Sequence, residues 1–299
     1  MSDDTAPGAP PSDGTPPEHT ILWRDLLRET ESLVGDAMHA RWICETATSS
    51  TSDEFRSLLD RPATERAVHH LDAMVARSRA GEPIQYVLGS WGFRRLDLAV
   101  DRRVLIPRPE TELLVELALV ACASVGPTRV VADLGTGSGA VGLALADELP
   151  LDGTTVWMTD ESTDALHVAR ANLAGIGRAA TNVRVAHGSW FDAIPDDVRL
   201  DVVVSNPPYV AEDSVELDRS VRDWEPVSAL LAGPDGLDDI RLIVEHAPRR
   251  LQPGGRLLLE HGYDQGAAVR RLLGAAGFVD VDTHRDLAGH DRVTQARLA

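Results

Sequence analysis

With 299 residues, 43% of them hydrophobic and 25% charged, the chain has the composition of a globular protein and the length for more than one domain. Its formal net charge of -18, with arginine as its only strongly basic residue, argues against a protein that lives on a nucleic-acid backbone, where cationic surface supplies most of the non-specific affinity. No apolar run approaches a membrane span, the N-terminus lacks the pattern of a signal peptide, and Cys44 and Cys122 form no metal-ligand spacing, so the expectation is a cytoplasmic protein with reduced cysteines, no membrane partner and no metal.

Residues 1–19 carry five prolines, several acids and no arginine, the composition of a disordered tail. Residues 20–83 are helical in pattern. "ILWRDLLRETESLVG" spaces Leu22, Leu26, Leu27 and Val34 as a helix does, "SDEFRSLLD" opens on an N-cap, and "ATERAVHHLDAMVARSRAGEP" stops at Gly81 and Pro83. This predicts a small helical domain without a catalytic cluster. Residues 84–107 turn to Val, Leu and aromatics around a glycine-containing turn and predict a β-hairpin linker.

Across residues 108–299 strands and helices alternate. "TRVVADLG", "TTVWMTD", "NVRVAHG", "LDVVVSN" and "GGRLLLEHG" predict buried strands; "GAVGLALADEL", "STDALHVARANLAG", "LDDIRLIVEHAPRRL" and "DQGAAVRRLLGAAG" predict the helices between them. Near-continuous apolar strands and short loops imply an α/β domain with a doubly wound, mostly parallel sheet. "RVTQARL" predicts a last strand closing its edge.

The first strand of this alternation runs into Gly135-Thr136-Gly137-Ser138-Gly139 and then a helix. Glycines there let the chain turn sharply and let a ligand lie against the backbone, and the helix N-terminus favours anionic groups. The next strand ends in Asp160, placed to bind ribose hydroxyls. Gly135, Gly137 and Ala140 also satisfy a relaxed dinucleotide pattern, so the glycines alone leave open whether the ligand is a dinucleotide or S-adenosylmethionine.

The decisive stretch is "DVVVSNPPYV", where a buried strand opens into Asn206, Pro207, Pro208 and Tyr209. An asparagine both accepts and donates, and a proline fixes the direction of its carbonyl. Two such acceptors can hold both hydrogens of a planar –NH2 group while Tyr209 packs on its flat face. The motif therefore suits methyl transfer to an amide or amino nitrogen.

On "GEPIQYVLGSWGF", "LIPRPETELLVE", "DLGTGSGA", "TDESTDALHVARAN", "SWFDAI", "VSNPPYV", "WEPVSALLAGPDGLDDI", "LLLEHGYDQG" and "RDLAGHDRVTQAR", the chain resembles the class I S-adenosylmethionine-dependent methyltransferases and, within them, the HemK/PrmC family of release-factor glutamine methyltransferases. The resemblance spans roughly residues 20 to 299. It implies that Gly135 to Gly139 contact S-adenosylmethionine, that Asp160 binds its ribose, that Trp190 borders its adenine and that Asn206 also lies against the cofactor. It further implies that Asn206 to Tyr209 hold the glutamine of the Gly-Gly-Gln loop of class 1 peptide-chain release factors, and that the helical domain grips the rest of that partner. Ser189 stands where the family often has an acid, which leaves adenine recognition by that side chain open. The expected protein is a monomer that binds no nucleic acid directly. The competing readings are a ribosomal-protein glutamine methyltransferase, a DNA amino-methyltransferase, an inert binding module and a nicotinamide-dependent oxidoreductase.

Overall fold

The computed structural model describes residues 21–212 and 219–299. The tail reading for residues 1–19 lies outside the described residues. The chain forms two compact units that divide between Gly81 and Glu82.

In the first unit, helices α1 (Trp23–Val34), α2 (Ala37–Thr48), α3 (Ser52–Leu58) and α4 (Glu65–Arg79) pack together. Their ends are set by side chains. Asp36 accepts the backbone N–H groups of Met38 and His39, both at 2.8 Å, and Gly35 closes α1 in a left-handed conformation. The cap of α3 is Thr51, one residue before the predicted Ser52, because Thr51 and Glu54 form a reciprocal capping box. Trp23, Leu26, Ile43, Cys44, Phe55 and Met74 are buried, with Trp23 edge-on to Phe55 at 5.9 Å between ring centroids.

The second unit begins with α5 (Ile84–Leu88) and a hairpin of β1 (Ser90–Phe93) and β2 (Leu96–Ala99), so the antiparallel ladder is narrower than residues 84–107. Arg94, at the hairpin turn, donates its backbone N–H to Glu112 at 3.0 Å and forks onto Glu148, tying the hairpin to the domain that follows.

Next come α6 (Thr111–Ala123), β3 (Arg129–Leu134), α7 (Ala140–Glu148), β4 (Thr154–Asp160), α8 (Thr163–Gly175), β5 (Val183–His187) and β6 (Leu200–Ser205). The chain then forms α9 (Arg219–Trp224), α10 (Asp238–Arg250), β7 (Leu251–Glu260), α11 (Gly266–Ala275), β8 (Phe278–Arg285) and β9 (Asp291–Leu298). The predicted strands and helices of the alternation are present. Helix α6 is an addition to the reading: it is apolar on nearly every side and carries no clear polar face.

One sheet takes the order β5-β4-β3-β6-β7-β9-β8, parallel from β5 to β7 and antiparallel at β9. "RVTQARL" thus does not close the edge. It forms β9 inside the sheet, between β7 and β8, and β8 is the edge strand. Leu114, Leu143, Met158 and Val202 belong to the apolar layer on one face, Ile240, Ile243, Leu257 and Leu259 to that on the other. The order runs outward from β3 to β5 and then resumes on the other side of β3 with β6. A crevice opens at the carboxyl ends of the strands where this reversal occurs, the usual ligand position in open α/β sheets.

Candidate active site

The crevice is a cavity of about 310 Å³ within the second unit. The lining includes Gly135, Thr136, Gly137, Ser138, Asp160, Trp190, Asn206 and Pro208, so eight predicted residues from four separate stretches meet in one place. Gly139, Pro207 and Tyr209 are not part of the lining.

The turn after β3 takes its shape from Gly135, Gly137 and Gly139, with φ of 71°, 56° and 88°. A Cβ on Gly137 would meet nothing within 4 Å, whereas one on Gly139 would lie 2.9 Å from both Leu143 Cδ1 and Met158 Cε. Gly137 leaves ligand space; Gly139 lets α7 close on the sheet. Beneath the turn, Asp133 is buried and its Oδ2 accepts the Thr136 hydroxyl at 2.5 Å and the Gly142 N–H at 2.9 Å. Burial pushes its carboxyl up to about 6, against those two donors.

Asp160 ends β4. Its Oδ2 accepts the Gly137 N–H at 2.8 Å and its Oδ1 the Ser162 N–H at 2.9 Å. Burial raises its pKa while both N–H groups oppose the rise. Each carboxylate oxygen has more than one acceptor position, so the pair retains capacity for two vicinal hydroxyls. Trp190 lies across the turn: a Cβ on Gly135 would be 3.1 Å from Trp190 Cζ3, and the Trp190 carbonyl accepts the Thr159 hydroxyl at 3.0 Å. The ring is a flat wall of the cavity and also packs on the core, and Ser189 beside it joins the lining.

At the end of β6 the Ser205 hydroxyl donates to the Leu134 carbonyl at 2.7 Å, fastening the two strand ends together. Asn206 Nδ2 donates to Thr111 Oγ1 at 3.2 Å. Pro207 is buried. Tyr209 turns away from the cavity, its hydroxyl 3.5 Å from Glu260 Oε1 and its carbonyl accepting Gln265 Nε2 at 2.9 Å. Burial raises the Tyr209 pKa, and the neighbouring Glu260 raises it further. Val210 then bridges to Leu231 by main-chain bonds, so the loop is anchored on both sides.

The loop from Arg103 to Arg108 completes the wall. The Ile106 N–H donates to Glu225 Oε2 at 3.1 Å, and the Arg108 guanidinium pairs with the same buried carboxylate. Asp133, Thr111, Glu225 and Glu260 are residues that the sequence reading missed. An acid inside an apolar strand, at Asp133 and again at Glu260, was the available signal.

These residues fit S-adenosylmethionine. Asp160 offers acceptors for ribose hydroxyls, Trp190 a flat face for a purine, the glycine turn an unobstructed backbone, and the acid-bearing lining a favourable field for a sulfonium and an ammonium group. Among the described residues no group of three or more potential metal ligands occurs, and no helix is long and apolar enough to cross a membrane.

Similarity to known proteins spans both units of the chain. The model of the methyltransferase small domain matches residues 110–222, and that of the PrmC N-terminal domain matches residues 22–89. A release factor glutamine methyltransferase of Pseudomonas aeruginosa is 46% identical over 278 residues, covering 92% of this chain and 98% of its own. One from Vibrio cholerae is 47% identical over 224 residues, covering 75% and 76%. A solved release-factor-specific protein-(glutamine-N5) methyltransferase from Alicyclobacillus acidocaldarius is 29% identical with a TM-score of 0.40, covering 64% of this chain and 94% of its own.

Proposed function

The chain belongs to the release factor glutamine methyltransferase family, and from that premise we propose that its strand-end cavity aligns S-adenosylmethionine with the glutamine of a release factor's Gly-Gly-Gln loop. The protein is an S-adenosylmethionine-dependent protein-glutamine methyltransferase acting on release factors. The Gly-Gly-Gln loop, class 1 factors as the partners, a monomeric state and a cytoplasmic setting are the finer parts of the proposal. The helical unit recognises the body of the release factor.

In this reading Gly135 to Ser138 line the cofactor, Asp160 holds its ribose and Trp190 borders its adenine, while Gly139 acts on packing. S-adenosylmethionine, when bound there, would supply an electrophilic methyl group carried on a positively charged sulfur. A carboxamide nitrogen is a poor nucleophile because its lone pair is delocalised, so orientation and charge stabilisation carry most of the acceleration. Asn206 Oδ1 accepts one N–H of the target from the cavity wall, and the backbone carbonyl of Pro207, which is buried behind that wall between the lining residues Asn206 and Pro208, takes the other only once the substrate loop reaches it; together they stabilise the charge that nitrogen gains. The surplus proton then leaves to water. Pro208 and Tyr209 hold the loop that aims these acceptors.

The observation that supports this reading is Asn206, which lines the same cavity as the glycine turn and Asp160 while its amide nitrogen is already engaged by Thr111. Mass spectrometry of purified release factors incubated with the protein and S-adenosylmethionine tests it. One added methyl on the Gly-Gly-Gln peptide is expected. A methyl found only on another protein, or on no protein, overturns the assignment.

A further inference from the structure

Behind the Asn206–Tyr209 loop, β7 ends in a carboxyl group that methyl transfer as described does not use. Glu260 is 1% exposed, and its Oε2 is buried without a hydrogen-bond partner. Its Oε1 faces the Tyr209 hydroxyl at 3.5 Å. The Thr111 side chain adjoins the same carboxyl, and Thr111 Oγ1 is the atom that receives Asn206 Nδ2. Register explains the proximity: Ser205 pairs with Leu259, which sets the next residues side by side, Asn206 just past the end of β6 and Glu260 at the end of β7, where it still pairs with Val293 of β9. A buried carboxylate short of donors is costly, and it stands here one hydroxyl away from the candidate clamp.

The three side chains differ in what they can give. A threonine hydroxyl has one proton, an ionised carboxylate only accepts, and an asparagine amide can present either end. With Glu260 ionised, the proton of Thr111 goes to the carboxylate. Thr111 Oγ1 can then only accept from Asn206, which turns Asn206 Nδ2 toward Thr111 and leaves Oδ1 for the cavity. With Glu260 protonated, the carboxyl donates to Thr111, and the threonine proton becomes available to Asn206 Oδ1. The amide turns over and presents N–H groups to a target nitrogen that itself has only N–H to offer.

We infer that Glu260 is a positioning residue whose charge state, relayed by the Thr111 hydroxyl, sets which end of the Asn206 amide faces the substrate. The inference deepens the reading of Asn206 as an amide clamp and rests on it. The groups around the carboxyl place the switch in a useful range. Burial pushes Glu260 up to about 7; Thr111, Arg292 on β9 and the Tyr209 hydroxyl pull it down, and Glu110 ahead of α6 pushes it up. Arg292 is itself paired with Asp286 at 3.2 Å. His261, the residue just past the end of β7, is held by the Gly262 carbonyl and the Thr294 hydroxyl, both at 2.8 Å, and burial lowers its pKa. Asp133 and Asp160 titrate in the cofactor region instead, and saturating cofactor separates them from the relay.

The test uses the full chain and two readouts. In the first, the side-chain amide signal of Asn206, assigned by its loss in Asn206→Ala, is followed by NMR from acid to alkaline pH. It should titrate through the neutral range in the wild type and stay fixed in Glu260→Gln and Thr111→Val. In the second, single-turnover methylation of release factor at saturating cofactor should fall up to tenfold per pH unit below the Glu260 transition. It should be slower and flat with pH in Glu260→Gln and Thr111→Val, while Thr111→Ser recovers the wild-type profile. A wild-type Asn206 signal that does not titrate, or a folded Glu260→Gln protein that titrates as the wild type does, overturns the relay. A wild type that methylates no release factor at any pH overturns the proposed function instead, and the NMR readout then decides the relay alone.

Discussion

Replacing Asp160 by alanine should separate cofactor binding from chemistry. Both carboxylate oxygens already accept a backbone N–H, from Gly137 at 2.8 Å and Ser162 at 2.9 Å, and the remaining acceptor capacity is what a ribose would use. The two N–H groups border an open cavity, so water can reach them in the variant and the fold should tolerate the change. The ribose hydroxyls lose a charged acceptor within a partly dry site, which costs about 1–3 kcal/mol once their re-solvation in free cofactor is counted. That is roughly 5- to 150-fold in Kd. Calorimetry with S-adenosylmethionine measures it, and single-turnover methylation at saturating cofactor should move far less. Asp160→Asn is the sharper control. An amide must point its NH2 at either the Gly137 or the Ser162 N–H, donor against donor, so its affinity should fall at least as far as that of the alanine variant. Wild-type Kd in a folded Asp160→Ala protein would remove Asp160 from the site and refute the argument.

Three further outcomes are expected. Asn206→Asp loses the N–H given to Thr111 and sets a negative charge beside Glu260, so methyl transfer should drop by roughly 10²–10³ with cofactor affinity much less affected; single-turnover rates beside calorimetry check both. Gly139→Ala places a methyl 2.9 Å from Leu143 Cδ1 and Met158 Cε at a φ of 88°, and thermal or denaturant melting should show a loss of about 2–4 kcal/mol from overpacking and left-handed strain together. The Glu260 carboxyl rises from 4.5 in the free state to about 7 in the fold, so the folded protein binds the extra proton between those values. Its stabilising contribution is complete below 4.5 and is lost as pH rises through 7, an effect on the order of 3 kcal/mol that Glu260→Gln should remove from the difference between urea melts at pH near 5 and near 8. An unchanged difference in the variant would assign the pH dependence elsewhere, with Asp133 the next carboxyl of the same sign.

Much of the architecture was legible because its signals are local. A strand such as Leu200–Ser205 is buried at nearly every position and ends at a motif that cannot continue a ladder. Helix α6 was not, since Leu113 to Cys122 are apolar apart from Glu116: its buried face of Leu114, Val115, Ala118 and Cys122 is opposed by an exposed face that carries the apolar Val120, 71% exposed, and the period is blurred. The placement of β9 was hidden for another reason. "RVTQARL" has the alternation of a strand at any position in a sheet, and its insertion between β7 and β8 is decided by which neighbours it can bond. The edge strand β8 carries Asp280, Asp282 and Arg285, which break its apolar pattern and also guard an exposed edge.

The same distinction divides the site itself. Its cofactor side is built from consecutive residues at strand ends, Gly135 to Ser138 after β3 and Asp160 after β4, and a pattern of consecutive residues survives in the sequence. Its substrate side depends on contacts between residues 95 apart, Asn206 with Thr111, and 51 apart, Tyr209 with Glu260. No spacing rule reports such pairs; they exist because β6 and β7 align Ser205 with Leu259 and because α6 begins over those strand ends. The consequence is a difference in how the two sides respond to substitution. Changes in the local set should weaken cofactor binding and spare the rate at saturation, while changes at Thr111 or Glu260 should leave binding near its original strength and lower the rate. The reason is that Thr111 and Glu260 determine the direction of an amide rather than the presence of an acceptor. An Asn206 whose amide is turned over still fills the same space, so the fold and the cofactor would register little, and only the reacting nitrogen would meet a donor where it needs an acceptor.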